Sequence, residues 1–139
     1  MKVAEILLEY KHAASDRRQD YVRWKRLVNI DTKVLHLLVD ERDGLTVKEL
    51  KGTKSRRGPN RATIRMRSKP FAQWTSEDLN WMYRQLAYIT RALKLNEPLV
   101  RKGKDGKKRP TDKLESLISW GHCPGGIKFT VKDGQIVIQ

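Results

Sequence analysis

The apolar residues recur at three- and four-residue spacing over most of the chain and switch to alternation at its end. In residues 2–14, Val3, Ile6, Leu7, Tyr10 and Ala14 fall on one helical face. Ser15 and Asp16 interrupt that face. Asp16 with Gln19 then forms a capping pair for a second helix, "DRRQDYVRWKRLVN", whose inward stripe is Tyr21, Trp24, Leu27 and Val28. A third helix starts near Asp31 or Thr32, carries Val34, Leu35, Leu37 and Leu38, and ends before Gly44. "GLTVKELKG" gives one short helix, with Thr46 and Glu49 as a capping box and Gly52 as its stop.

The stretch "NRATIRMRS" fits two periods. As a strand, Ala62, Ile64 and Met66 point one way and Arg61, Thr63, Arg65 and Arg67 the other, and this is the reading the alternation favours. As a helix capped by Asn60, it sets Arg61 and Arg65 on one side. After Pro70 the chain predicts its longest helix. Thr75 caps it, Glu77 and Asp78 complement its dipole, and Leu79, Met82, Tyr83, Leu86, Ile89 and Leu93 form its inward stripe. Trp81 and Tyr88 lie off that stripe, where aromatic residues ordinarily pack against a neighbouring helix.

Residues 99–110, "LVRKGKDGKKRP", read as a hairpin arm turning at Asp105 and Gly106, with Lys104 facing Lys107 and Lys102 facing Arg109. Like charges set opposite one another cost stability, so this arm is expected to form poorly without a polyanion. Asp112 with Glu115 opens a short helix through Leu114, Leu117, Ile118 and Trp120, stopped by Gly121. Residues 127–139 hold a two-residue Asp133 and Gly134 hairpin. Val131 faces Ile136 and Phe129 faces Ile138 on one side, with Thr130 opposite Val137 on the other. A lone hairpin is marginal in water, so residues 61–67 or another strand are expected to join it. The fold class is α+β: one predominantly helical domain over residues 1–139 with a small antiparallel sheet.

Charge changes this picture by its placement. The 139 residues carry a net charge of +14. Lys51, Lys54, Arg56, Arg57, Arg61, Arg65, Arg67 and Lys69 stand in a stretch with no Asp or Glu, beginning with a basic loop at 51–60. Arg101, Lys102, Lys104, Lys107, Lys108 and Arg109 share the arm with Asp105 alone. The rest of the chain is close to neutral, so the positive charge forms two islands on an ordinary scaffold. Arg17, Arg18, Arg23, Lys25 and Arg26 add a weaker basic face to the second helix. One-sign islands of this kind point to a polyanionic partner.

"VLHLLVDERDGLTVKEL" resembles the first two helices of helix-turn-helix and winged-helix domains, in which an Arg-rich element then enters the major groove. The resemblance implies DNA as the partner, with the recognition element following in the Arg-rich stretch. The chain departs from that pattern by spending ten residues, "KGTKSRRGPN", where three or four are usual.

Other classes find little footing. A single cysteine, Cys123, excludes an internal disulfide, and His12, His36 and His122 are too scattered for a zinc site. "SWGHCPGG" sets His122 beside Cys123, but adjacent side chains rarely converge and no third orienting group follows. "HCPGG" lacks the Gly-Lys-Ser/Thr ending of a phosphate loop, and no carboxylate cluster suggests a two-metal nuclease. We therefore expect a non-enzymatic intracellular protein, nucleoid- or nucleic-acid-associated, without a cofactor, a small-molecule substrate or a membrane span. It binds nucleic acid through phosphates, with DNA favoured over RNA, residues 51–69 as the primary contact and 101–109 as a flanking arm. Two alternatives remain: a small inhibitor or adaptor, of the kind found in phage and mobile elements, docking on a nucleic-acid-handling complex, and a ribosome-associated RNA-binding protein.

Overall fold

The computed structural model describes residues 14–40 and 57–139. Among these, five α-helices and two short antiparallel strand pairs confirm the α+β class. Helix α1 spans Ala14–Leu27, α2 Thr32–Asp40, α3 Arg57–Arg67, α4 Ser76–Lys94 and α5 Asp112–Ser119. Strands β1 (Val100–Lys102) and β2 (Lys108–Pro110) form one pair, and β3 (Phe129–Lys132) and β4 (Gln135–Ile138) the other. The expected helices around residues 2–14 and 46–51 lie outside the described residues. So does most of the segment with the helix-turn-helix resemblance, and no winged-helix arrangement is evident in what is described.

Two apolar clusters hold the fold. Trp24 and Val28 from α1 meet Ala62 and Met66 from α3 and Met82, Tyr83, Leu86 and Ile89 from α4. Ile30 and the α2 residues Leu35 and Leu38 meet Leu114 and Ile118 from α5 and Ile136 from β4, with Ile64, Phe129, Val131 and Ile138 against them. Helix α3 lies between the clusters. This explains why residues 61–67 are helical and not the expected strand. At about 100° per residue, positions 62 and 64 lie on opposite sides of a helix, and here each side has its own core to enter. The alternation is real, but it records two apolar neighbours on a helix.

Polar residues occupy the inner face of α3 as well. Asn60 and Thr63 are fully buried. Thr63 receives the Gln85 amide at 2.8 Å and donates back to the Pro59 carbonyl. Gln85 accepts the Trp24 indole N–H at 2.9 Å and donates to the Trp120 carbonyl, so one buried amide joins α1, α3, α4 and the end of α5. Gly58 and Pro59 sit in the first turn of α3, where a missing N–H costs nothing. The expected basic loop at 51–60 therefore ends in helix from Arg57 onward.

Other expectations shift by small amounts. Ser15 and Asp16 lie inside α1 and do not interrupt it. In α2, Asp31 accepts from the Lys33 amide, and Leu35 and Leu38 are buried while Leu37 is 46% exposed. Helix α4 begins with the Thr75 and Asp78 capping box, but Ala92 takes the buried place expected of Leu93. Thr111, not Asp112, caps α5 by accepting from Leu114 N. The off-stripe aromatics pack as expected, with Tyr88 stacked on Trp120 at 4.9 Å and Trp81 covered by Arg84 at 4.3 Å.

The C-terminal hairpin has the expected register, and Asp133 and Gly134 both take positive φ, as a type I′ turn requires. Among the described residues no third strand joins it. Helices α2, α3 and α5 cover its apolar face instead, and β2 runs beside β4 without hydrogen bonding to it.

Gly121 closes α5 with φ +92°, the Gly121 amide bonding to Ile118 O and the His122 amide to Leu117 O in a Schellman arrangement. A Cβ there would lie 2.8 Å from Val28 Cγ1. Gly121→Ala combines left-handed strain with overpacking of the core and is expected to cost roughly 3 kcal/mol. Urea unfolding should show a lowered midpoint with an unchanged slope.

Candidate nucleic-acid interface

The two basic islands fare differently once folded. Lys51, Lys54 and Arg56 lie outside the described residues, as does the side chain of Arg57. Arg61 is exposed on α3. The other described members of the first island are committed within the fold.

Arg67 is turned inward. Its guanidinium donates to the carbonyls of Val28 at 2.8 Å and Ile30 at 2.7 Å, and to the Thr32 hydroxyl at 3.1 Å. It thereby caps the C-terminal end of α1 and pins the turn into α2, where a cation suits the helix dipole. Burial pulls its pKa down and the nearby Asp31 opposes this, yet a guanidinium stays protonated throughout the working range. Arg67, expected among the nucleic-acid contacts, is thus turned into the fold.

Arg65 and Lys69 converge on the first turn of α4. Arg65 Nε donates to Asp78 Oδ1 at 3.1 Å, and Lys69 Nζ donates to Asp78 Oδ2, which also accepts the Thr75 amide. The Asp78 carboxylate is buried. Burial pushes its pKa up, but the hydrogen bonds from Lys69, the Thr75 amide, Arg65 and the Thr75 hydroxyl together outweigh this and hold it down to about 2. Arg65 keeps a half-exposed side chain and also approaches Glu77.

The second island stays outside. Arg101, Lys102, Lys104, Lys107, Lys108 and Arg109 are all exposed. Their hairpin is fully formed, and its register corrects the expected one: Arg101 faces Arg109 and Lys102 faces Lys108. The turn is also longer than two residues. Gly103 O accepts from Gly106 N, Gly103 N donates to Lys107 O, and Gly106 sits at φ +77°, a three-residue loop with a glycine bulge.

Asp105 offsets the like-charge cost that made the arm look unstable. Its Oδ1 accepts the Lys107 amide at 3.0 Å and its Oδ2 accepts from Arg109 at 2.9 Å. The Lys107 amide is the chief reason its pKa is lowered. Arg109 folds directly over Gly103, where a Cβ would stand 2.9 Å from Arg109 Nε. A side chain at 103 would make the Arg109 and Asp105 side chains shift from this clasp.

Beside the hairpin runs an open groove of about 750 Å³. Arg101, Lys107, Lys108 and Arg109 line one side, Gln135 to Gln139 the other, and Glu115 contributes one carboxylate. Neither this groove nor the smaller cleft beside Arg67 and Lys69 is lined by described members of both islands.

His122 and Cys123 face different partners. His122 Nδ1 donates to the Leu27 carbonyl, while the Cys123 thiol lies near the Pro124 and Ile127 carbonyls. Burial pushes the Cys123 pKa up, away from the thiolate a nucleophile needs. Among the described residues no group of three metal-ligating side chains occurs, and no helix is long and apolar enough to cross a membrane.

Sequence reasoning missed the inward role of Arg67 and the clasp at Asp105. The second had a visible signal, an acid four residues before an arginine; the first had none, because its acceptors are backbone carbonyls 35 or more residues away.

Two outcomes follow from this geometry. Arg67→Ala strands two carbonyls and is expected to lose roughly 2–4 kcal/mol of stability, against under about 1 kcal/mol for the half-exposed Arg65→Ala, measured by denaturant unfolding. Asp78 has a folded pKa below its unfolded one, so its contribution is full above about pH 4 and vanishes as pH falls toward 2. The stability gap between the wild type and Asp78→Asn is accordingly expected to be about 2 kcal/mol near neutrality and to close over that acid window.

Comparison with known proteins leaves the assignment to these residues: no family model, no curated protein and no solved structure matches the chain.

Proposed function

We propose that this protein binds nucleic acid, with the β1–β2 hairpin as its principal phosphate-contacting element. The observation that carries the reading is six exposed cations on a folded two-stranded ribbon with one carboxylate among them. This reverses the ranking expected from sequence. Of the first island's described members, Arg65, Arg67 and Lys69 are bonded within the fold, and the arm expected to flank is taken as the main contact.

The shape suits the task. Three residues per strand make a ribbon about 10 Å long. B-DNA's major groove, about 12 Å wide, admits a two-stranded ribbon of this size. Lysines at the tip and along both edges reach phosphates, while Arg101 and Arg109 share one face. Phosphate contacts position a protein without reading sequence, so the affinity is expected to be similar across sequences and strongly salt-dependent. The half-exposed Arg65 and the exposed Arg61 add charge on α3.

Replacing Arg101, Lys102, Lys104, Lys107 and Lys108 with Ala leaves the Asp105–Arg109 clasp and the turn in place. In gel shifts against duplex DNA, single-stranded DNA and RNA, affinity is expected to fall on the order of 100-fold. The slope of log K against log salt should drop by about 0.9 for each duplex phosphate that the variant no longer neutralises. Unchanged affinity for all three probes, with circular dichroism showing an intact fold, refutes the proposal.

A further inference from the structure

The groove beside the hairpin is bordered by two strand edges. Residues 107–110 line one side without a break and residues 135–139 the other. Successive side chains of a strand point to opposite faces, so an unbroken run marks an edge and not a face.

The edge of β4 carries unpaired backbone groups. Its two-residue turn makes Lys132–Gln135 and Thr130–Val137 the pairs that exchange hydrogen bonds, and the Gln139 amide continues the series to the Lys128 carbonyl. The amides and carbonyls of Ile136 and Ile138 therefore point away from β3, and β2 makes no bond to them. Pro110 supplies a physical reason. The Thr111 amide bonds to Leu99 O and the Gly103 amide to Lys107 O, which leaves Lys108 and Pro110 as the outward positions of β2. Proline has no N–H to offer a neighbouring strand.

The two walls differ in chemistry. Arg101, Lys107, Lys108 and Arg109 make one of them cationic. The other holds hydrogen-bonding groups without charge: the edge of β4 and the exposed amides of Gln135 and Gln139, whose side chains have no partner among the described residues. Glu115 adds a carboxylate that is also without a partner there. A carboxylate repels a phosphate but accepts from a base amino group. Phosphates accordingly suit the hairpin wall and base edges the β4 wall. No aromatic residue is among those lining the groove, so the bases are held at their edges and not by stacking.

Size selects the form of nucleic acid. The groove of about 750 Å³ falls within the range of ligand sites, about 300–1,000 Å³. A double helix, whose major groove alone is about 12 Å wide, does not enter such a space, whereas one strand does. A single strand also leaves its Watson–Crick edges free for the protein.

We propose that this groove seats one strand of single-stranded nucleic acid, with phosphates along Arg101, Lys107 and Lys108 and base edges against β4, Gln135, Gln139 and Glu115. The inference rests on the reading of the hairpin as the phosphate-contacting element and names the form of nucleic acid it prefers. Amides both donate and accept, so every base finds a partner and the preference is for strandedness, not for sequence. Single-stranded DNA and RNA share this chemistry.

Fluorescence anisotropy at fixed salt tests it with labelled probes of equal length: a mixed-sequence DNA strand, the same sequence as RNA, its DNA duplex, and a chain of abasic residues bearing the same phosphates. Unlabelled polyglutamate of equal charge serves as competitor. The mixed strand is expected to bind about tenfold tighter than the abasic chain, the worth of one or two hydrogen bonds, and tighter than the duplex. The Gln135→Ala/Gln139→Ala double variant, altered at exposed positions, should cut the margin over the abasic chain to about threefold or less. The order of the DNA and RNA strands identifies the ligand. The proposal is overturned if the abasic chain or the duplex binds as tightly as the mixed strand, or if the double variant keeps the full margin. It is overturned too if polyglutamate displaces the mixed strand at equal concentration, which would make the groove a site for acidic peptides. In the first two cases, abasic-chain binding that weakens in the five-alanine hairpin variant leaves the hairpin reading standing; failure of every nucleic-acid probe to bind the wild type removes both.

Discussion

The fold depends on how the four residues between α1 and α2 are held. This short turn exposes the last carbonyls of one helix in the middle of the molecule, where water cannot reach them all, and unsatisfied polar groups there are costly. Two distant parts of the chain, Arg67 and residues 121–123, supply the partners. Arg67 takes the carbonyls of Val28 and Ile30, His122 takes that of Leu27, and Gly121 accepts the Ile30 amide. Asn29 and Cys123 exchange a further pair of hydrogen bonds. The turn is therefore where α3, α5 and the α1–α2 corner become one body, and the two apolar clusters on either side are positioned by it.

That arrangement decides which cations remain for a ligand. A guanidinium suits the end of a helix because it offers several donors in a plane and keeps its charge when half-buried. Arg67 fills that role, while Lys69 and Arg65 neutralise the buried carboxylate that caps α4. Basic residues in a dense run can thus serve the scaffold as readily as a polyanion. The hairpin cations have no such employment, since the clasp at Asp105 engages only Arg109.

The sequence was most legible where structure is local. The Asp133 and Gly134 turn, the Thr75 cap and the stop at Gly121 each depend on residues within a few positions, and each lies where the pattern puts it. Helix α3 was misread because its period depends on having a core on both sides, a tertiary fact. The arm's register slipped because the glycine bulge at Gly106 adds a residue to the turn. The candidate interface was legible as charge, but not as geometry: composition shows how many cations there are, and only folding shows which of them already hold a carbonyl or a carboxylate.

The glycine at 103 has a wider consequence. By letting Arg109 lie across the backbone and reach Asp105, it gives a strongly cationic arm a fixed shape before any partner arrives. An arm that is disordered until it docks loses conformational freedom at that moment, and coupled folding leaves a large negative heat-capacity change as its mark. A ribbon folded beforehand forfeits little of that freedom. In the proposed complex, association would then be dominated by the release of counterions, with a heat capacity that barely moves.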